Sequence, residues 1–212
     1  MTEQQARESL VEYGRSLFLR GYSCGSSGNL SVRLPDGAGF LMSPTNVSLG
    51  RLAAEAMSRL DAAGRHLDGA PPTKEAWLHL AMYAARRDDH AVVHLHSTHA
   101  AALSCRSDLP PDDAVPPLTP YVIMRVGRVP LVPYSRPGDT APAAIIERLA
   151  VNRRAVLLAN HGPVVAGPNL EAAVAAAEEL EETARLFFLL ERQAHRLLTP
   201  EQIAELERVF GR

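Results

Sequence analysis

Two histidines stand one residue apart in Ala91-Val92-Val93-His94-Leu95-His96-Ser97-Thr98-His99, and a third sits in Asn160-His161-Gly162. Side chains alternate along a strand, so Val92, His94 and His96 share one face while Val93 and Leu95 share the other. Two imidazoles side by side at the C-terminal end of a strand can both reach one cation. Zinc at a catalytic site commonly takes three protein ligands and keeps a position open. His161 is a candidate third ligand because it follows a second apolar run, Ala155-Val156-Leu157-Leu158-Ala159, that reads as a buried strand. On spacing alone another reading stays open, in which His94 and His96 are hydrogen-bonded residues of a half-buried strand.

A second group with chemical potential is Thr73-Lys74-Glu75. Lysine and arginine together number 22, and Lys74 is the only lysine among them. It adjoins Glu75, the best acid/base candidate in the chain. A lone lysine also reads as an ordinary surface residue, so its position beside Glu75 is what singles it out.

These residues need elements to hold them. Apolar spacing predicts a helix over 3–20, stopped by Gly21. A small-residue loop, Gly25-Ser26-Ser27-Gly28-Asn29, leads into a hairpin of 30–34 and 40–42 around Pro35-Asp36-Gly37. Ser43-Pro44-Thr45-Asn46 is a polar turn, and a strand is expected over 56–60. Thr73 suits the N-cap of a helix over 74–86, with Glu75 in its first turn, where the dipole favours a negative charge. After the His94–His96 strand a short helix covers 100–104, and 108–117 reads as an exposed loop. Strands are expected over 122–126 and 129–132, a helix capped by Asp139 or Thr140 runs to Ala150, and a long helix spans 169–193. Its Glu178, Glu179, Glu181 and Glu182 read as a solvated face. Thr199-Pro200-Glu201-Gln202 carries the capping-box pattern of a last helix. Strands interleaved with helices, beginning with a tight hairpin, predict an α/β fold with a mostly antiparallel sheet.

Composition narrows the class. At 212 residues, 46% hydrophobic and 22% charged, the chain reads as one domain, 1–212. A net charge of −2 offers no electrostatic footprint for nucleic acid. The polar start, Met1 to Glu8, lacks the apolar core of a signal peptide, and no apolar run approaches the ~20 residues of a bilayer span. Cys24 and Cys105 make no disulfide framework and read as small core residues, which fits a reducing, cytoplasmic compartment.

The small-residue loop, the Ser-Pro-Thr turn, the Thr-Lys-Glu helix start, the His-x-His strand and the Asn-His-Gly triplet occur in an order that resembles the class II aldolase/adducin family. The resemblance runs from about residue 7 to 193. Fuculose-phosphate aldolase and ribulose-phosphate epimerase are type enzymes of that family. Within it, 94–99, Leu118-Thr119-Pro120-Tyr121, 133–139 and Ala159-Asn160-His161-Gly162-Pro163 are most similar to the subgroup that decarboxylates 3-oxo-tetronate 4-phosphates.

The resemblance implies a three-layer fold, with helices flanking the sheet, and a fourfold homotetramer whose active sites lie at subunit interfaces. It implies one divalent metal per subunit, usually Zn²⁺ with Mn²⁺ as the other candidate, on His94, His96 and His161. Glu75 matches the family's acid/base glutamate, which also ligates the metal when substrate is absent. A carboxylate near zinc can serve in either role. Phosphate is expected near Ser26, Gly28, Asn29, Thr45, Asn46, Thr73 and Lys74, where backbone N–H groups of a small-residue loop and a helix start favour an anion. Lys74 departs from the paired small hydroxyl residues that some members carry there, and would add a point charge. Tyr121 is implied as a proton donor reaching a neighbouring subunit's site, although the sequence alone reads it first as a packed aromatic. His99 matches no ligand position and reads as a supporting residue. The implied reaction yields dihydroxyacetone phosphate and carbon dioxide through an enediolate. Retro-aldol cleavage of a ketose 1-phosphate is the alternative enzyme, and a metal-free, adducin-like interaction module the remote one.

Overall fold

The computed structural model describes residues 2–136 and 138–210; Met1, Pro137 of the 133–139 motif, Gly211 and Arg212 lie outside the described residues. Its strands are β1 (Asn29–Arg33), β2 (Phe40–Met42), β3 (Ser58–Leu60), β4 (His66–Asp68), β5 (Ala91–His94), β6 (Leu131–Val132), β7 (Ala155–Leu158) and β8 (Gly162–Gly167). They form one 8-stranded sheet in the order β4-β3-β2-β1-β5-β8-β7-β6. Every neighbouring pair is antiparallel except β6 with β7. The helices are α1 (Glu3–Leu19), α2 (Ala76–Ala85), α3 (Thr98–Ser104), α4 (Pro120–Arg125), α5 (Ala143–Ala150), α6 (Leu170–Leu190) and α7 (Pro200–Phe210).

Alternation along the central strands sends successive side chains into two separate cores. Val93, Leu95, Leu157 and Val165 pack with Leu10 of α1, Leu103 of α3, Val122 of α4 and Leu180 of α6. Val92, Val156, Leu158 and Val164 pack on the opposite face with Leu78 and Met82 of α2 and Ile146 of α5. Each such side chain contributes about 1.5–3 kcal/mol when fully buried. The sheet is thus the middle of three layers. None of the described helices is long and apolar enough to cross a membrane.

Several elements differ from the sequence expectation. The apolar run 122–126 is not a strand but lies in helix α4 and its C-cap: Pro120 occupies the first turn and the Thr119 hydroxyl accepts from the Val122 N–H. Short apolar runs do not distinguish a strand from a buried helix turn, and here the cap decides. Strand β8 is absent from the sequence expectation; the segment pairs with β5 on one side and β7 on the other. Edge strand β4, wholly exposed, was also unforeseen. Strand β3 is shorter than 56–60, since 54–56 forms a 3-10 turn. Helix α5 starts only at Ala143, behind Pro142 and without a side-chain cap, so neither Asp139 nor Thr140 caps it. Cys24 and Cys105 are exposed rather than core residues, one in a turn and one at the C-cap of α3. Thr199 and Gln202 do exchange capping-box hydrogen bonds ahead of α7.

Candidate metal and anion site

His94 is the last residue of β5, fully buried between β1 and β8, where register places Asn29 and Val164 beside it. Its Nδ1–H donates to the Pro163 carbonyl at 2.9 Å, which leaves the Nε2 lone pair free to face the site. His96 lies two residues past the strand end, not within it, yet its ring turns to the same side. His161 occupies the turn between β7 and β8, behind Asn160 at φ 56. Gly162 allows this turn to press against the other histidine segment: a Cβ there would lie 2.3 Å from the Leu95 carbonyl oxygen.

The three Nε2 atoms therefore converge, at 3.0 Å (His94–His96), 3.3 Å (His94–His161) and 2.9 Å (His96–His161). Zn–N bonds of about 2.0–2.1 Å at tetrahedral angles separate ligand nitrogens by roughly 3.3 Å, so the cluster is close to what one ion requires. Glu75 closes it, its carboxylate 3.4 Å from His94 Nε2 and 3.2 Å from His161 Nε2. These four donor atoms all lie within 4.8 Å of one another. Burial pushes the His94 and His96 pKa values down, keeping both rings neutral and able to bind a metal. Burial alone would raise the Glu75 carboxyl, but His161, His94 and the Asn29 amide hold it well below the usual range. Neutral imidazoles around a carboxylate suit a borderline-soft divalent cation.

Glu75 reaches this position because α2 starts later than expected. The helix begins at Ala76 with Glu75 as its N-cap residue, and Thr73 is not the cap; its hydroxyl accepts from the Glu75 N–H at 3.3 Å. Released from capping, the Glu75 side chain accepts from Asn29 Nδ2 at 2.7 Å and faces the histidines.

All seven residues expected around a phosphate line one cavity of about 290 Å³, which also touches Glu75 and His96. Its wall includes the only lysine, exposed at position 74, and two turn residues in the left-handed region, Gly28 (φ 78) and Asn46 (φ 59). Gly28 is also a close approach, since a Cβ would sit 2.9 Å from the His94 carbonyl oxygen. Across Glu75 from this cavity, a narrow cleft is lined by Trp77, Arg136, Leu158 and His161. A larger hollow of about 670 Å³ follows the outer side of α1 and lacks such a donor cluster. Tyr121 is 55% exposed in α4, with Arg125 over its ring, and belongs to neither cavity.

One residue read as solvated is buried. Glu181 of α6 accepts from the backbone N–H groups of His99 (2.9 Å) and Ala100 (2.8 Å), and from His99 Nδ1 (2.8 Å). It thus ties down the start of α3, directly after His96, and His99 is its supporting partner. Glu178, Glu179 and Glu182 instead meet Arg20, Thr119 and Arg185 nearer the surface. An acidic run gives no sign of which member turns inward.

This chain belongs to the class II aldolase and adducin N-terminal domain family, whose model matches residues 8–188. The 3-oxo-tetronate 4-phosphate decarboxylase of Pectobacterium atrosepticum is 50% identical over 205 residues, 97% of this chain and 94% of the relative. The L-fuculose phosphate aldolase of Escherichia coli is 33% identical over 169 residues, 79% of this chain and 75% of that protein. The crystal structure of YgbL from Klebsiella pneumoniae superposes with a TM-score of 0.94 at 50% identity, covering 97% of this chain and 99% of that one.

Proposed function

We propose that this chain decarboxylates a 3-oxo-tetronate 4-phosphate to dihydroxyacetone phosphate and carbon dioxide. The observation that carries this reading is 50% identity to a relative of that name across 97% of the chain, against 33% for the aldolase. The histidine and glutamate cluster supplies the chemistry such a reaction needs. A β-keto acid loses carbon dioxide when the electrons of the breaking bond are accepted by the neighbouring ketone, leaving an enediolate. His94, His96 and His161 would hold a divalent cation, zinc in our reading, which would supply positive charge to the oxygen on which that negative charge develops.

The chain's own residues do the rest. Lys74 supplies a point charge to the phosphate, supported by the hydroxyls of Ser26, Thr45 and Thr73 and by the open backbone at Gly28 and Asn46. One Asn29 amide hydrogen is committed to Glu75, and the second remains for the phosphate side. Glu75 is ionised before substrate arrives, so the proton reaching the new carbanion passes through a water that its carboxylate orients. Tyr121, exposed in one protomer, reaches the site of a neighbour in a homotetramer as a proton donor. The enzyme works in the cytoplasm, where exposed Cys24 and Cys105 stay reduced.

The test is product analysis with purified, metal-replete protein on a panel of 3-oxo-tetronate 4-phosphates and ketose 1-phosphates. Carbon dioxide and dihydroxyacetone phosphate from a member of the first set are expected. Aldehyde release from the second set, with no carbon dioxide from the first, would replace the reading by the aldolase. Metal-free protein after purification in the presence of zinc would favour the interaction module.

A further inference from the structure

Glu75, His79 and Tyr83 are spaced i, i+4, i+8, so they line one face of α2, with Glu75 at its cap. Opposite them, Asn29 and Ser31 are spaced i, i+2 and share one face of β1. The two stripes interlock in a continuous hydrogen-bonded chain. Asn29 Nδ2 lies 2.7 Å from the Glu75 carboxylate, and Asn29 Oδ1 meets His79 Nε2. His79 Nδ1 lies 2.7 Å from Ser31 Oγ, which lies 2.9 Å from Tyr83 Oη. His79 and Ser31 are completely buried, and Tyr83 almost so.

Every proton direction in the chain follows from its last member. An ionised carboxylate only accepts, so Asn29 must turn its NH₂ to Glu75 and its carbonyl to His79. That carbonyl also only accepts, which puts the proton of a neutral imidazole on Nε2 and leaves Nδ1 as acceptor. Ser31 must then donate to Nδ1 and accept from Tyr83. Burial, which pushes the His79 pKa down to about 4, keeps the ring in the neutral state this pattern needs. Tyr83 is fixed independently: its ring stacks on Phe40 at 4.8 Å and lies under the Arg33 guanidinium.

We infer that His79 is a positioning residue for the reaction, holding the Asn29 amide in the one orientation that aims the Glu75 carboxylate, while Ser31 and Tyr83 lock the His79 tautomer. Without the Nε2–H donor, the Asn29 amide can flip and present an oxygen to Glu75, which swings the carboxylate off its line to the reacting carbon. A displacement of about 1 Å is enough to cost on the order of 10²-fold in rate. The inference rests on the reading of Glu75 as the proton-handling residue, and its structural half can be tested without any substrate.

Neutron diffraction from crystals of the full chain exchanged into deuterium oxide would show the deuterons directly. Deuterium on His79 Nε2, none on Nδ1, and the Asn29 ND₂ toward Glu75 are expected; deuterium on Nδ1 overturns the proposal, whatever the enzyme's substrate proves to be. Kinetics test the functional half. His79→Leu should lower kcat by about 10²-fold with KM within threefold and metal content unchanged. His79→Gln, whose amide can donate to Asn29 and accept from Ser31, should recover at least about tenfold of that loss. Unchanged kcat in a folded His79→Leu protein, loss of metal together with activity, or no recovery in His79→Gln would each refute the positioning role. If His79→Leu does not fold, the His79→Gln kinetics and the neutron map still decide. Absence of decarboxylation by the wild-type protein, with the expected deuterons in place, would discard the proposed reaction and leave the relay standing.

Discussion

On one side of Glu75 stand His94, completely buried at the end of a central strand and tied to Pro163, and His161, in a turn that only a glycine neighbour permits. On the other side stand Lys74, exposed and without a partner among the described residues, and turn residues such as Asn46 in the left-handed region. The first wall is fixed by the ladders of β5, β7 and β8, while the second is made of loops around a cavity of about 290 Å³. Charge is arranged to match. The buried wall holds imidazoles whose Nε2 atoms converge, and the open wall holds a lysine in water. A group that must keep a fixed angle to the reacting carbon belongs on the first, and a group that only attracts an anion functions on the second.

This division predicts how each wall fails. His94→Ala removes a ligand that strand, carbonyl and neighbours have all oriented, and should abolish metal content and activity together, as read by elemental analysis beside turnover. Glu75→Gln keeps the shape but not the charge. Turnover should fall by roughly 10²–10⁴-fold, the usual worth of general acid–base catalysis, with metal still bound by three histidines. On the open wall, Lys74→Met should raise KM by about tenfold and leave kcat nearly unchanged, because an exposed ion pair is screened by water. A large kcat loss in Lys74→Met would mean that the walls are not functionally distinct.

The hydrogen-bonded chain behind Glu75 should also carry a pH dependence of stability. His79 has a folded pKa lowered to about 4, so the unfolded chain, near 6.5, takes up a proton first as pH falls. Its contribution is complete above pH 6.5 and declines toward pH 4, by about 1.4 kcal/mol at one unit below 6.5. Urea midpoints of the metal-free protein at pH 7.5 and 5.5 measure this, and His79→Gln should remove that part of the decline. The smallest effect is expected for Glu181→Gln, which weakens the tie at the start of α3. A cost of about 1 kcal/mol corresponds to a melting shift of roughly 2–4 °C, with activity changed only a few-fold.

How much of this was readable in the chain follows the same division. His94 and His96 declare themselves because few residue types bind metals and the two stand one residue apart, whereas His161, 65 residues away, was reached through the apolar strand before it and Glu75 through the order of motifs. The seven residues expected near a phosphate came from the order of motifs, and one cavity is lined by all of them. What escaped was set by partners distant in sequence. Nothing in Gly162–Gly167 announces a central strand until β5 and β7 lie on either side of it. Thr119 outweighs the strand preference of 122–126 by capping a helix. Glu181 looks like its acidic neighbours until α3 is placed over it. The Glu75, His79 and Tyr83 stripe was visible as helical spacing, but its meaning depends on Asn29 and Ser31 across 46 to 52 residues of chain.

That carbon–carbon cleavage here releases carbon dioxide and leaves an enediolate to be protonated is open to one direct measurement. A 3-oxo-tetronate 4-phosphate labelled with carbon-13 in its carboxylate is turned over by the wild-type enzyme in deuterium oxide. Labelled carbon dioxide and dihydroxyacetone phosphate carrying one deuterium at the carbon that bore the carboxylate are expected. Labelled carbon dioxide without deuterium in the product would contradict the enediolate. No labelled carbon dioxide, with an aldehyde released from a ketose 1-phosphate instead, would contradict the decarboxylase.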